Sequence, residues 1–334
     1  MIRVILTAAL VLVAPVAHAD RVDSIIETQI LPDMAALATS TTALDAAAQA
    51  DCDPGSETLQ TAFLSAFADW TRISHLRFGP VEKDNRGFAL AFWPEPRAQT
   101  SKTLAALLSA ADPVIDDPDS FSQVSVAVQG LYALEYMLFD ARMKELGDPA
   151  CRCAMVRAIA ANAARIAGAI ADEWATSHAD LLRNPTPDGP YQTIEEATQE
   201  LFKAVLTGLQ INADLRLGRP LGSIDKPRPK RAEARRSGQS LAHVVISVIA
   251  LQDLATALAE GDTDLTRDLD AAFRRALEEA EALDDPVFAG VATPTGRIRV
   301  EALQQRINEI RQIAQSRLGP SLGVAAGFNS LDGD

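Results

Sequence analysis

Residues 240–283 read SLAHVVISVIALQDLATALAEGDTDLTRDLDAAFRRALEEAEAL, and their spacing decides the fold. Leu251, Leu254 and Leu258 return at intervals of three and four, and so do Leu265, Leu269, Ala272, Ala276, Ala280 and Leu283. Those intervals place the apolar side chains on one face of a 3.6-residue helix, while Gly261-Asp262 punctuates the middle. Outward from this stretch the same period runs almost throughout, with few β-branched runs and 59 alanines among 334 residues. Helices are predicted over 22–50, 57–77, 101–110, 119–146, 150–183, 191–217, 238–260, 263–283 and 297–317. The breaks are Asp53-Pro54-Gly55, 78–97, the proline-rich 184–190, 218–238 and 286–296. Long antiparallel helices joined in this way make bundles, so the expectation is an all-α protein of two packed bundles, 20–183 and 190–334.

Composition removes several alternatives. With 48% hydrophobic residues, 18 glycines, 18 prolines and 3 cysteines the chain is neither collagenous, disulfide-dense nor disordered. Forty-five acids against 31 bases, a net charge of −14, argue against a nucleic-acid-binding body, which needs clustered cations to displace counterions. The N-terminus reads as a secretory signal: Arg3, an apolar run from Val4 to Val13, and Ala17-His18-Ala19 as a small-x-small cleavage site. Cleavage after Ala19 removes Arg3 and leaves a periplasmic chain of charge −15. No cysteine follows for a lipid anchor, and no later segment is read as a membrane span.

Export permits disulfides. Cys52 can bridge to Cys151 or to Cys153, leaving one thiol, or all three can stay unpaired. Between Arg219 and Arg236 the basic residues Arg219, Lys226, Arg228, Lys230, Arg231, Arg235 and Arg236 face only Asp225 and Glu233, a local charge of +5. That loop is either an anion or anionic-surface contact or a solvated segment offsetting the acidic body.

The chemistry centres on the predicted helix 119–146, where Val124, Val128, Leu131, Glu135 and Leu138 share one stripe. Burying an unpaired carboxylate costs several kcal/mol, so Glu135 is expected to be protonated, hydrogen-bonded, paired with a cation such as Arg72, or bound to a metal. Tyr132 lies three residues before it on the same face, and Gly130 removes a side chain from the preceding turn. His75, between Arg72 and Gly79-Pro80, is a further ligand candidate or a hydrogen-bonded imidazole whose charged form a helix C-terminus favours. His178 and His243 read as core residues, and Ser237 and Ser240 as helix-start caps.

Gly130-Leu131-Tyr132-Ala133-Leu134-Glu135 resembles the Gly-x-His-x-x-Glu segment of the imelysin family, exported bacterial proteins first described as peptidases and later linked to iron uptake. Trp70-Thr71-Arg72, Phe78-Gly79-Pro80 and Phe92-Trp93-Pro94 are similar to that family's N-terminal pattern. Leu217-Gly218-Arg219-Pro220, Glu233 and Ser237-Gly238-Gln239-Ser240 resemble its C-terminal counterpart, and Gly327–Asp334 its tail. The resemblance implies a double four-helix-bundle architecture, with iron or another metal ion, or a small ligand, at the bundle interface around Glu135, Tyr132 and His75, and an envelope protein as a further partner. Gly130, Arg72, Glu233, Ser237 and Asp332 are the other motif positions it marks.

The family's motif histidine is Tyr132 here. A phenol binds metal well only as phenolate, and with a free pKa near ~10 it needs a strong Lewis acid to ionise. No His-Glu-x-x-His pair and no Gly-x-Ser-x-Gly elbow is present. The expectation is therefore a non-enzymatic metal-binding protein related to iron uptake. The alternatives are an imelysin-type metallopeptidase, or an interaction module in which Tyr132 and Glu135 form a structural hydrogen-bonded pair. Asn329, Asp332 and Asp334 offer oxygen ligands in the tail, with Leu322, Val324 and Phe328 as apolar anchors.

Overall fold

The computed structural model describes residues 14–324, with side chains from Ala19 onward. The signal-like run 1–13 and the tail from residue 325, which holds Phe328, Asn329, Asp332 and Asp334, lie outside the described residues.

Ten helices carry the architecture: α1 Ala14–Ile25, α2 Leu31–Ala50, α3 Glu57–Ile73, α4 Gln99–Ala110, α5 Leu131–Phe139, α6 Pro149–Glu173, α7 Ile194–Gln210, α8 Ser240–Leu258, α9 Thr263–Leu283 and α10 Pro294–Ile313. Their starts follow from side chains that satisfy the free backbone N–H groups of a first turn. Asp148 accepts from Ala150 and Thr193 from Glu196, while Asp262 accepts from Leu265 and Thr293 from Gly296. Pro149 and Pro294 occupy first-turn positions, where the missing N–H costs nothing. No strand occurs among the described residues.

Helices α2, α3, α5 and α6 pack as one bundle, and α7, α8, α9 and α10 as the second. The α3–α8 contact joins them. α1, continued without a break through Ile26–Ile30 into α2, is early in sequence but lies against α7 and α8; Arg21 donates to the Glu260 carbonyl at 2.7 Å, and Gln29 of the continuing turn to that of Asp253 at 3.2 Å. At Gly208 on α7, an added Cβ would lie 2.5 Å from Leu251 Cδ2 and 2.8 Å from His75 Cβ, so the second bundle closes on the end of α3 through a missing side chain.

Two expectations are corrected. The predicted helix 119–146 is broken: Val126–Val128 is a 3₁₀ turn, Gly130 is extended and α5 starts only at Leu131. Ser125 Oγ accepts from Ala127 N–H, and the Gln129 amide donates to the carbonyls of Ser122 and Val124, local bonds that compete with a helical ladder. Val124 and Val128 therefore do not share a helix with Glu135. The second correction concerns membrane-length segments: 149–183 and 240–258 are long and apolar enough to cross one. Their apolar faces are spent on the bundle cores, through Ile159, Ala163, Ile166 and Ile170 in one and Val244, Val248, Leu251 and Leu254 in the other.

Of the cysteine alternatives, the structure holds the Cys52–Cys153 bridge, with Cα atoms 5.2 Å apart, and leaves Cys151 as a thiol. Leu322 and Val324 are buried, as anchors should be.

Candidate functional site

Every residue from Leu131 to Leu138 is buried, so α5 is a core helix surrounded on all sides. It can sit that deep because Gly130 at its start lacks a side chain: a Cβ there would overlap the carbonyl oxygens of Ala89 and Leu90. Glu135, 2% exposed, nevertheless has partners. Its Oε1 accepts from the backbone N–H groups of Arg236 and Ser237 and from Ser237 Oγ, each at 2.9 Å. The 233–238 segment is thus clamped onto α5, and Arg236 completes the clamp with Nε 3.1 Å from Asp140 Oδ2 and its guanidinium 3.4 Å over the Tyr136 ring. Burial pushes the Glu135 carboxyl above its usual range, against the opposing pull of the Ser237 donors and the Arg236 charge.

Tyr132 does not bond Glu135. Its hydroxyl donates to Glu233 Oε1, and Arg216 Nε donates to Glu233 Oε2 at 2.6 Å. The Arg216 and Glu233 side chains are each only 3% exposed. Arg216 also donates to Asn212 Oδ1 and to Ser74 Oγ, both at 3.2 Å, and Asn212 donates onward to Ser247 Oγ at 2.8 Å. His243 Nδ1 stands 3.6 Å from Glu233 Oε2, and the His243 and Tyr132 rings pack edge-on against Phe67 at 4.5 and 4.9 Å. Burial is the largest single influence on the Glu233 carboxyl and would raise it, but the charges and hydrogen bonds of Arg216 and His243 together outweigh it and hold the group far below the usual range. Burial, then the Glu233 charge, raises the Tyr132 phenol well above its ordinary value.

Tyr132, Glu135, Glu233 and Ser237 therefore meet at the bundle junction, with Gly130 beneath them. Ser237 and Ser240 are not helix caps: Ser237 serves Glu135, and Ser240 donates to the Glu233 carbonyl. Arg72 does not neutralise Glu135 but pairs at 2.8 Å with both Asp33 and Asp253, beside an open groove of about 920 Å³ between Thr28–Gln29, α8 and α9. His75 is also elsewhere. It is buried against Gly208 with Nδ1 lacking any hydrogen-bond partner, and burial, then the Arg72 charge, lowers its pKa to about 3. Burial thus disfavours the charged form, since desolvation outweighs the pull of a helix terminus.

Arg216, Asn212 and Ser74 were not anticipated. The available signal was Asn212-x-x-x-Arg216, two polar residues at i, i+4 on a stretch otherwise made of Ile211, Ala213 and Leu217.

Neutral burial of His75 has a pH consequence. Its folded pKa of about 3 lies below the ordinary 6.5, so between those values the unfolded chain binds more protons and stability falls as pH falls. At 1.36 kcal/mol per unit, moving from pH 7 to 4.5 costs up to about 3 kcal/mol through this group. Urea unfolding at the two pH values should show the difference shrinking by about 2 to 3 kcal/mol in His75→Gln, and an unchanged difference would refute the assignment.

A resident metal does not fit this donor set. Both carboxylates are engaged by internal donors, a guanidinium holds the cationic place at Glu233, and Tyr132 is far from phenolate. Among the described residues, no group of three or more His, Cys, Asp or Glu side chains is placed to hold an ion.

Two cavities flank Trp93 and Tyr132, whose rings stack 6.3 Å apart. One, of about 300 Å³, is lined by Trp70, Ser74, Arg77, Phe88, Arg216 and Glu233 among others. The other, of about 440 Å³, opens between α5, residues 92–98 and the basic 230–236 segment.

Comparison with known proteins agrees with this architecture. The family model described as imelysin, peptidase M75, matches residues 30–314. The iron-regulated protein A of Synechococcus elongatus is 22% identical over 320 residues, covering 90% of this chain and 85% of its own. Among solved structures, an imelysin-like protein from Psychrobacter arcticum superposes with a TM-score of 0.79 at 19% identity, covering 96% of this chain and all of its own. A Parabacteroides distasonis protein described as an iron-regulated protein A precursor gives 0.75 at 12% identity, over 91% of this chain and 96% of its own.

Proposed function

The chain belongs to the imelysin family, and from that premise we propose that it is an exported, non-enzymatic binding protein of an iron-related system, in which the motif carboxylates brace two bundles and ligand recognition falls to the cleft beside them. The observation that carries this reading is the Arg216–Glu233 pair, 2.6 Å apart and enclosed at the bundle junction. A guanidinium neutralises the carboxylate there, so the charge a metal would bring is already supplied from within the chain. Tyr132 supports it, because the residue standing in the motif's histidine position spends its proton on the same carboxylate.

A metallopeptidase needs a metal-activated water and a general base with an open ligand position. Glu135 is unsuited to the second role, being held by three donors from the 236–237 segment. Export is favoured by the N-terminal signal-like sequence and by the precursor description of the Parabacteroides protein. The iron link rests on the Synechococcus relative, whose name speaks of iron regulation of that protein.

The test is elemental analysis of the full chain purified from a bacterial periplasm, followed by ferrous and ferric iron titration and incubation with an unfolded protein substrate. The expected result is less than a tenth of an equivalent of any transition metal and no chelator-sensitive cleavage. A stoichiometric metal that is lost in Glu233→Ala or Glu135→Ala, or cleavage abolished by a chelator, would overturn the proposal.

A further inference from the structure

The 440 Å³ cavity has a charge imbalance that the fold does not explain. Six cationic side chains line it: Arg97, Arg219, Lys230, Arg231, Arg235 and Arg236. Only two carboxylates face them, and both are occupied. Glu135 holds the 236–237 backbone, and Glu95 accepts from the Tyr136 hydroxyl at 2.7 Å and from Thr100 N–H at 2.8 Å. Arg236 is tied to Asp140. Among the described residues, Arg97, Arg219, Lys230 and Arg231 make no ion pair, and Arg235 donates only to the Lys230 carbonyl.

Arg219 is the most exposed to this imbalance. It is half-buried, its guanidinium lies 5.8 Å from the Trp93 ring centre, and its Nε is enclosed without a hydrogen-bond partner. Burial, then the nearby Arg231, lowers its pKa. In a chain of net charge −14, with acids available for pairing nearly everywhere, like charges gathered in one concavity raise the local potential and attract a counter-ion. Guanidinium groups match carboxylate and phosphate oxygens two at a time. The cavity is too confined for a nucleic-acid backbone, and the acidic body around it would repel one.

We propose that this cleft is a binding site for a small oxyanion carrying at least two negative charges, a polycarboxylate or a phosphate, held by Arg219, Lys230 and Arg231 over the Trp93 ring. The site deepens the binding-protein reading. Its failure is separable from failure of that reading, because metal content and cleavage assays do not depend on it.

Calorimetric titration of the full chain with citrate, inorganic phosphate and acetate tests it, with vesicles containing 30% anionic phospholipid as a further arm. Saturable one-to-one binding of citrate or phosphate is expected, at least about tenfold tighter than acetate and weakened by added salt. Whichever of the two binds tighter identifies the carboxylate or the phosphate source. Arg219→Gln and Arg231→Gln should each weaken binding about tenfold or more. Lys226→Gln, the same charge change in the same loop but away from the cavity, should leave affinity within about twofold. Arg231 is exposed, so its variant tests the site without endangering the core. Absence of saturable binding, equal weakening by Lys226→Gln, or binding to the vesicles alone would overturn the proposal.

Discussion

Replacing Arg216 with methionine is expected to destabilise the protein by about 3 to 5 kcal/mol, because it leaves Glu233 charged, buried and without its cation. The unpaired carboxyl would then take up a proton, its pKa rising above the ordinary 4.5 instead of lying far below it. The variant should accordingly lose further stability as pH rises through that raised value, where the native protein shows no such loss. Adding Glu233→Gln should restore most of the difference, since a neutral amide keeps an acceptor for the Tyr132 hydroxyl and removes the orphaned charge. Urea denaturation of the single and double variants between pH 5 and 8 decides the matter. A single variant within 1 kcal/mol of the native protein, or a double variant no better than the single, would show that the pair does not carry the junction.

Loss of the Cys52–Cys153 bridge is expected to be comparable in size. It links the turn between α2 and α3 to the start of α6 across a sequence separation of 101 residues. A loop of ~100 residues corresponds to ~4.7 kcal/mol of denatured-state entropy in the chain-closure model, so Cys52→Ser with Cys153→Ser should cost up to about 4 to 5 kcal/mol. At 2 to 4 °C per kcal/mol, the midpoint of thermal unfolding should fall by on the order of 10 °C. Cys151→Ser should move it by less than about 2 °C, because that thiol has no bonded partner. A double variant melting with the native protein would mean that the bridge constrains little in the unfolded chain.

How much was legible beforehand depends on what each signal was made of. The long helices were readable because their apolar spacing is a property of the chain itself: 263–283 matches α9 end to end. The 119–146 stretch breaks because Ser122, Ser125 and Gln129 turn their side chains onto the backbone, an outcome that composition does not distinguish from an uninterrupted helix. Glu135 was conspicuous as a carboxylate within an apolar run, but two of its three donors are backbone N–H groups, which leave no mark in the letters. Arg216 was hidden among 31 basic residues until packing enclosed it. His75 drew attention through rarity, and its surroundings proved to be a buried packing contact with Gly208.

The seating of α1 against α7 and α8 bears on how the molecule is made. Val22, Ile25 and Ile26 emerge from the ribosome early, yet their helix is fastened at Gln29 to Asp253, 224 residues later. At ~5 to 20 residues per second that gap lasts roughly 10 to 45 s. The leading helix's first long-range partners, Arg183 against Asp23 and then α7, arrive about 160 residues on, so for most of that interval the apolar face is incompletely covered, and a holding chaperone fits the wait better than early collapse.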